Sequence, residues 1–262
     1  MNESIKGLLL PHIPYLLPEL GLSKIEAKIK KLLNTINEVK NLIECDPPEA
    51  FLICSPHFEG EAFSIGLQKL FIGDLGPFQR QDVIDQRLCH NELANAILED
   101  GLESGYLAPI SEDQTPSNRI DYGSIVALRL IDPKAKIRIV PISVSSGNLI
   151  EHYRWGQKLK SVVDKLNKRV IFIASTELSQ EFNDIPNALP SEFLQKYDRE
   201  VISNLVNQNI DKLLKLPKNY LRYTEKDLRP MYTLAGYSTS YQGELMDYSG
   251  FIGCGCAVMK FI

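Results

Sequence analysis

Of the four histidines in the chain, two stand in closely similar settings. His12 lies in Leu10-Pro11-His12-Ile13-Pro14 and His57 in Cys54-Ser55-Pro56-His57-Phe58-Glu59, each just beyond an apolar run and each preceded by proline. Such runs read as buried strands, so both imidazoles leave the carboxyl ends of strands, the edge at which open α/β sheets bind their ligands. A neutral imidazole on a rigid loop is a good ligand for iron, zinc or copper. Taken singly, each histidine also fits a turn residue bonded to nearby backbone; as a pair at equivalent strand ends they point to a metal. Neither spacing is a zinc-finger pattern, and HExxH is absent. The other two histidines are weaker candidates. His90 follows Cys89 in a stretch of helical period, where adjacent side chains diverge, and His152 reads as a surface or packing residue near Trp155.

The elements that must hold the pair follow from periodicity. Strand candidates are Gly7–Leu10, Phe51–Ser55, Ile137–Val144, Val170–Ser175 and Phe251–Phe261. Between them, Ile25, Ile29, Leu32, Leu33, Ile36, Val39 and Ile43 share one helix face, with Ser23 and Glu26 as a capping box. Further helices are predicted from about Asp82 to Leu102, over Gly123–Ile131, from Asn148 to Leu166, after Pro190, and from a second capping-box pattern, Thr224 and Asp227, to about Tyr237. Alternation of strands and helices without repeats or linkers predicts a single α/β domain, layered α/β/α around a mostly parallel or mixed sheet. Two polar loops, Ser111–Arg119 and Gln180–Pro190, are placed to border a site.

Composition narrows the partners. The 262 residues are 44% hydrophobic and 24% charged, which excludes disordered, collagen-like and coiled-coil chains. A net charge of −4 provides no global basic field, so no nucleic-acid partner is expected. Five cysteines without a CxxC pair form neither a disulfide framework nor a zinc ribbon, and the expected compartment is reducing. Cys254 and Cys256, alternating with Gly253 and Gly255, read as packing residues on one strand face. Pro11, Pro14 and Pro18 interrupt the first apolar run and no leader signature precedes it, so the expectation is a cytoplasmic protein with no membrane partner.

The stretch Leu8-Leu9-Leu10-Pro11-His12-Ile13-Pro14-Tyr15-Leu16-Leu17-Pro18-Glu19, together with Ser55-Pro56-His57-Phe58-Glu59, resembles the two histidine motifs of the class III extradiol dioxygenase superfamily. The resemblance is to the LigB-type catalytic subunit family, which includes the MEMO-like and AmmeMemoRadiSam protein B-like branch. Further blocks follow in the family's order. Asp121-Tyr122-Gly123-Ser124 resembles an Asp-His-Gly segment, and Ser175-Thr176-Glu177-Leu178-Ser179-Gln180 a Ser-Gly-Asp-Leu-Ser-His block. Thr224-Glu225-Lys226-Asp227 resembles a Gly-Glu-Cys-Gly block, and Tyr248–Phe261 the glycine-rich last strand.

The resemblance implies a metal held by His12, His57 and Glu225. Fe(II) is the implied ion, with zinc or another divalent metal as the alternative. Two imidazoles and one carboxylate on one face would leave the opposite face for O2 and a small catechol-like diol. Glu225 has a plainer reading too, as an acid near a helix N-terminus, which the dipole stabilises by about 0.3–1 kcal/mol. A homo-oligomer and a second subunit are both compatible with the family.

Three departures fall on the catalytic side of the implied site. Gln180 stands where the family has its acid/base histidine, Tyr122 replaces another histidine, and Glu177 replaces aspartate. Glutamine donates and accepts hydrogen bonds but exchanges no proton near neutral pH, and Glu177 could act as a base only if its surroundings raised its pKa. The implied activity is therefore an extradiol dioxygenase impaired at Gln180. Its alternatives are a MEMO-like metal-binding or partner-binding protein without efficient dioxygenase activity, and a zinc-dependent hydrolase.

Overall fold

The computed structural model describes residues 4–20, 23–108, 117–181, 185, 188–216 and 218–262, with the side chains at 23–28 and 218–227 outside that description. Leu8, Leu9 and Leu10 are fully buried in β1 (Gly7–Leu10), and every residue of β6 (Val170–Ser175) is buried as well. Runs this apolar fit only strands covered on both faces. With β2 (Ala50–Gly60), β5 (Arg138–Ser145), β7 (Gly243–Phe251) and β8 (Cys254–Phe261) they form one sheet in the order β5-β2-β6-β1-β8-β7. The first four run parallel, while β8 pairs antiparallel with both β1 and β7, so the sheet is mixed.

Helices α1 (Ser23–Cys45) and α3 (Tyr122–Ile131) pack together and reach β2, β6, β7 and β8. A second group, α2 (Asn91–Glu103), α4 (Leu149–Leu166), α5 (Glu192–Val206) and α7 (Lys218–Tyr237), is built on α7, which lies against β1, β2 and β6. This is the layered α/β arrangement expected. The apolar stripe of α1 faces inward through Ile29, Leu32, Ile36, Val39 and Ile43, whereas the Ser23 and Glu26 side chains, and with them the proposed cap, lie outside the described residues. At α4 both halves of the Asn148–Glu151 capping box are formed.

Four expectations need correction. The helix predicted from Asp82 begins only at Asn91, because residues 80–88 form β4 (Arg80–Leu88), paired with β3 (Leu70–Leu75) in a two-stranded sheet. Val83, Asp85 and Arg87 are buried in alternation there, the period of a strand. His90 consequently caps α2, its Nδ1 accepting the Leu93 N–H at 3.2 Å. The strand predicted over Phe251–Phe261 holds as β8 from Cys254 onward, but its start is a hairpin: Phe251 ends β7, and Ile252 and Gly253 both adopt positive φ (46° and 83°) between the paired Phe251 and Cys254, the backbone of a tight two-residue turn. The helix predicted from Thr224 begins at Lys218, and β2 continues past Ser55 to Gly60 with a register irregularity between Cys54 and Glu59.

Glycines set the crossing of α4 and α7. A Cβ on Gly156 would fall 1.9 Å from the Thr233 carbonyl oxygen, and one on Gly236 would fall 1.8 Å from that of Tyr153. Gly156→Ala should thus destabilise the fold by about 1–3 kcal/mol, although alanine is favoured in an exposed helix interior by about 1 kcal/mol. Urea denaturation checks this; a gain in stability would show that the helices part without cost.

Candidate metal centre

The parallel strands β2, β6 and β1 are consecutive in the sheet, so their carboxyl ends open on one edge. His12 follows β1 and Glu177 follows β6, and the Thr176 N–H donates to the Leu10 carbonyl (2.9 Å), carrying the ladder beyond the strand ends and setting the two residues side by side. His57 sits in the irregular outer part of β2, its backbone N–H donating to Ser55 Oγ at 3.2 Å. The first turn of α3, capped by Asp121 through the Ser124 N–H at 3.0 Å, comes against the same loop. That approach depends on Gly123: a Cβ there would lie 2.5 Å from Ser55 Oγ and 2.8 Å from the His57 ring.

The result is convergence of the two histidines. Nε2 of His57 lies 3.0 Å from Nε2 of His12. Glu177 Oε1 accepts the His12 backbone N–H at 2.8 Å, and its Oε2 stands 3.3 Å from His12 Nε2. The Gln180 amide donates to that same Oε2 at 3.4 Å. Residues 178–181 are held along the start of β8 by hydrogen bonds to Gly253 and Gly255, which fixes where Gln180 points. Tyr122, at the start of α3, lays its ring 4.1 Å from that of His57. Phe78, from the β3–β4 turn, meets Tyr122 edge-on at 5.0 Å. His12 and Glu177 are 3% and 2% exposed, while His57, Tyr122 and Gln180 are half-buried and so form the solvent side of the cluster.

The donor set fits a metal. Two cis ligands of an octahedral ion, each at about 2.1 Å, stand about 3.0 Å apart, the separation of the two Nε2 atoms. His12 Nδ1 is buried without a hydrogen-bond partner among the described residues, so Glu177 rather than a Nδ1 partner holds this residue in place. Among the described residues no three His, Cys, Asp or Glu side chains group as a complete metal site. The implied third ligand, Glu225, is on α7, and its side chain lies outside the described residues.

Other sequence candidates resolve differently. His152 is fully buried, bonded to the Ser145 N–H and the Asn148 carbonyl, and burial pushes its pKa down to about 4; it is a neutral packing residue. Burial raises the thiols of Cys54 and Cys256 and pushes Cys89 up to about 11, so these sulfurs stay protonated and unreactive. Much of Ser111–Arg119 and part of Gln180–Pro190 lie outside the described residues. Sequence reasoning did not find Ser55, Gly123 or Phe78; of these only Gly123, after Asp121-Tyr122, carried a signal.

Behind Gln180, Asp198 accepts hydrogen bonds from Ser179 Oγ (2.8 Å) and Tyr248 (2.6 Å). Desolvation outweighs those bonds and raises its carboxyl to about 6. The folded state therefore holds this proton more tightly than the unfolded chain does. The stability it contributes is full below about pH 4 and is lost as pH rises through 6. Relative to Asp198→Asn, the native protein should lose up to about 3 kcal/mol across that window, read from urea midpoints; a pH-independent difference would contradict the assignment.

The family model described as the catalytic LigB subunit of aromatic ring-opening dioxygenase matches residues 6–259. A Pseudomonas protein named 2-aminophenol 1,6-dioxygenase beta subunit is 25% identical over 99% of this chain and 94% of its own length. A longer protein of Clostridium acetobutylicum is 27% identical over 96% of the chain, and an Escherichia coli 3,4-dihydroxyphenylacetate 2,3-dioxygenase is 26% identical over 56% of it. The chain spans about half the length of these last two relatives, 56% and 49%. The crystal structure of an uncharacterized protein from Escherichia coli K12 shares the fold, with a TM-score of 0.67 at 17% identity, covering 98% of this chain and 99% of that one.

Proposed function

The chain belongs to the family of catalytic LigB subunits of aromatic ring-opening dioxygenases, and from that premise we propose that it is a non-haem Fe(II)-dependent extradiol dioxygenase acting on a small catechol-like substrate. The observation that carries the reading is the 3.0 Å convergence of His12 and His57. In this proposal His12, His57 and Glu225 hold the metal, and Tyr122, Glu177 and Gln180 border the substrate. All 262 residues act as one LigB-like domain.

When bound, Fe(II) supplies a common site for the diol and O2 and the redox chemistry of ring opening. The protein's own groups do the rest. Glu177 anchors the His12 backbone and orients the Gln180 amide, which can hydrogen-bond a substrate oxygen but cannot take its proton. Tyr122 gives a flat wall beside His57 against which an aromatic ring can stack. The name of the Pseudomonas relative supports a partner subunit and adds aminophenols to the substrates to be tried. Free cysteines throughout suit a reducing cytoplasm, and among the described residues no helix is long and apolar enough to cross a membrane.

Gln180 favours one second reading, a metal-binding or partner-binding protein without efficient dioxygenase activity. Oxygen uptake by the Fe(II)-loaded protein with catechols and 2-aminophenols separates the two. Ring cleavage at ordinary enzyme rates supports the dioxygenase and rejects the second reading. Gln180→His should raise a residual rate, since a positioned acid/base contributes about 10²–10⁴-fold; uptake absent from both proteins would reject the dioxygenase. Copurifying zinc without oxygen uptake would favour a hydrolase on the same ligands.

A further inference from the structure

The chain is acidic overall, yet one cleft is lined with cations that form no ion pair among the described residues. Between α5 and α6 (Ile210–Leu213) lies a concavity of about 550 Å³ whose walls include Lys196 and Arg199 on one side and Lys212 and Lys215 on the other. None of the four forms an ion pair among the described residues. By contrast, Arg80, Arg87, Arg119, Arg129 and Arg169 each reach a carboxylate. Among the described residues Glu200 is the one acidic side chain in the lining, so four cations stand there against one carboxylate, an excess of three positive charges. Within each pair the cations are three residues apart, a spacing at which like charges repel. Asn204 adds a neutral hydrogen-bonding group to the wall. None of the lining residues belongs to the histidine cluster.

We propose that this cleft is a binding site for a soluble ligand carrying two or more phosphate groups. The excess charge matches a di- or triphosphate, which would relieve the repulsion on both walls at once. The volume is that of a small-molecule site, about 300–1,000 Å³. A concave, localised cluster suits a compact anion better than an extended polyanion, which needs a continuous basic stripe.

The test is calorimetric titration of sodium tripolyphosphate into the 262-residue protein stripped of metal, so that its result is independent of the dioxygenase reading. Saturable one-to-one binding is expected, weakening with added salt. The pair Lys196→Gln with Arg199→Gln, and separately Lys212→Gln on the opposite wall, should each weaken it about tenfold or more. Lys134→Gln with Lys136→Gln removes the same charge elsewhere on the surface and should leave binding unchanged. Absence of saturable binding, equal weakening by the two double variants, or tighter binding of polyglutamate than of tripolyphosphate would overturn the proposal.

Discussion

Arg87→Ala is expected to cost about 3–5 kcal/mol of folding stability. Arg87 is 1% exposed. Its guanidinium donates to Asp85 at 2.6 and 3.1 Å and to Asp132 at 2.8 Å, joining β4 to the end of α3. Asp132 in turn accepts the backbone N–H groups of Lys136 and Ile137, both at 3.1 Å, which shapes the turn into β5. Removing the cation leaves Asp132 with only the two backbone N–H groups and Asp85 with only the Arg129 guanidinium at 3.6 Å, and buried charge left under-compensated is what makes such losses large. Arg87→Lys keeps the charge but not the planar fork, so it should recover only part of the loss. Replacing Asp85, Arg87 and Asp132 together by apolar residues should not restore the lost stability, because the Lys136 and Ile137 N–H groups would then lose their acceptor. Urea unfolding measures all three; a loss under about 1 kcal/mol for Arg87→Ala would mean that water reaches this cluster.

His57→Ala should leave the fold intact and lower Fe(II) affinity by more than about 100-fold, because even loss of a group outside the ligand set typically costs about 10–100-fold. The side chain is half-buried at the open edge of the sheet, where its removal leaves no sealed cavity. Anaerobic equilibrium dialysis against Fe(II) reads the effect without relying on turnover. Equal affinity in the two proteins would remove His57 from the metal site, and any oxygen uptake with catechols should fall in parallel with metal content.

What the sequence made legible, and what it hid, has a physical pattern. β1 and β6 could be read directly because both faces are buried and every residue had to be apolar or small. β4 could not, because two of its inward positions are Asp85 and Arg87, and a charged interior erases the hydrophobic alternation that marks a strand. The same misreading hid Phe78, which reaches Tyr122 only because residues 70–88 are a hairpin. The final strand was read as one because Gly253 sits in an apolar run, and only positive φ at both Ile252 and Gly253 reveals the turn. Thr224 and Asp227 match a capping box by spacing alone, yet α7 begins six residues earlier, at Lys218. In the site, Pro-His at two strand ends was enough to pair His12 with His57, and the family resemblance, which the match over residues 6–259 bears out, supplied Glu177 and Gln180. It could not supply the contacts of Glu177, which depend on the register between β1 and β6.

The central claim is that one metal ion is shared by His12 and His57. A crystal structure of the protein loaded anaerobically with Fe(II) tests it most directly. The account predicts a single ion with His12 Nε2, His57 Nε2 and a Glu225 carboxylate oxygen as its protein ligands, at about 2.0–2.2 Å. Loaded crystals in which the two imidazoles remain in contact with each other and the iron lies elsewhere would contradict it.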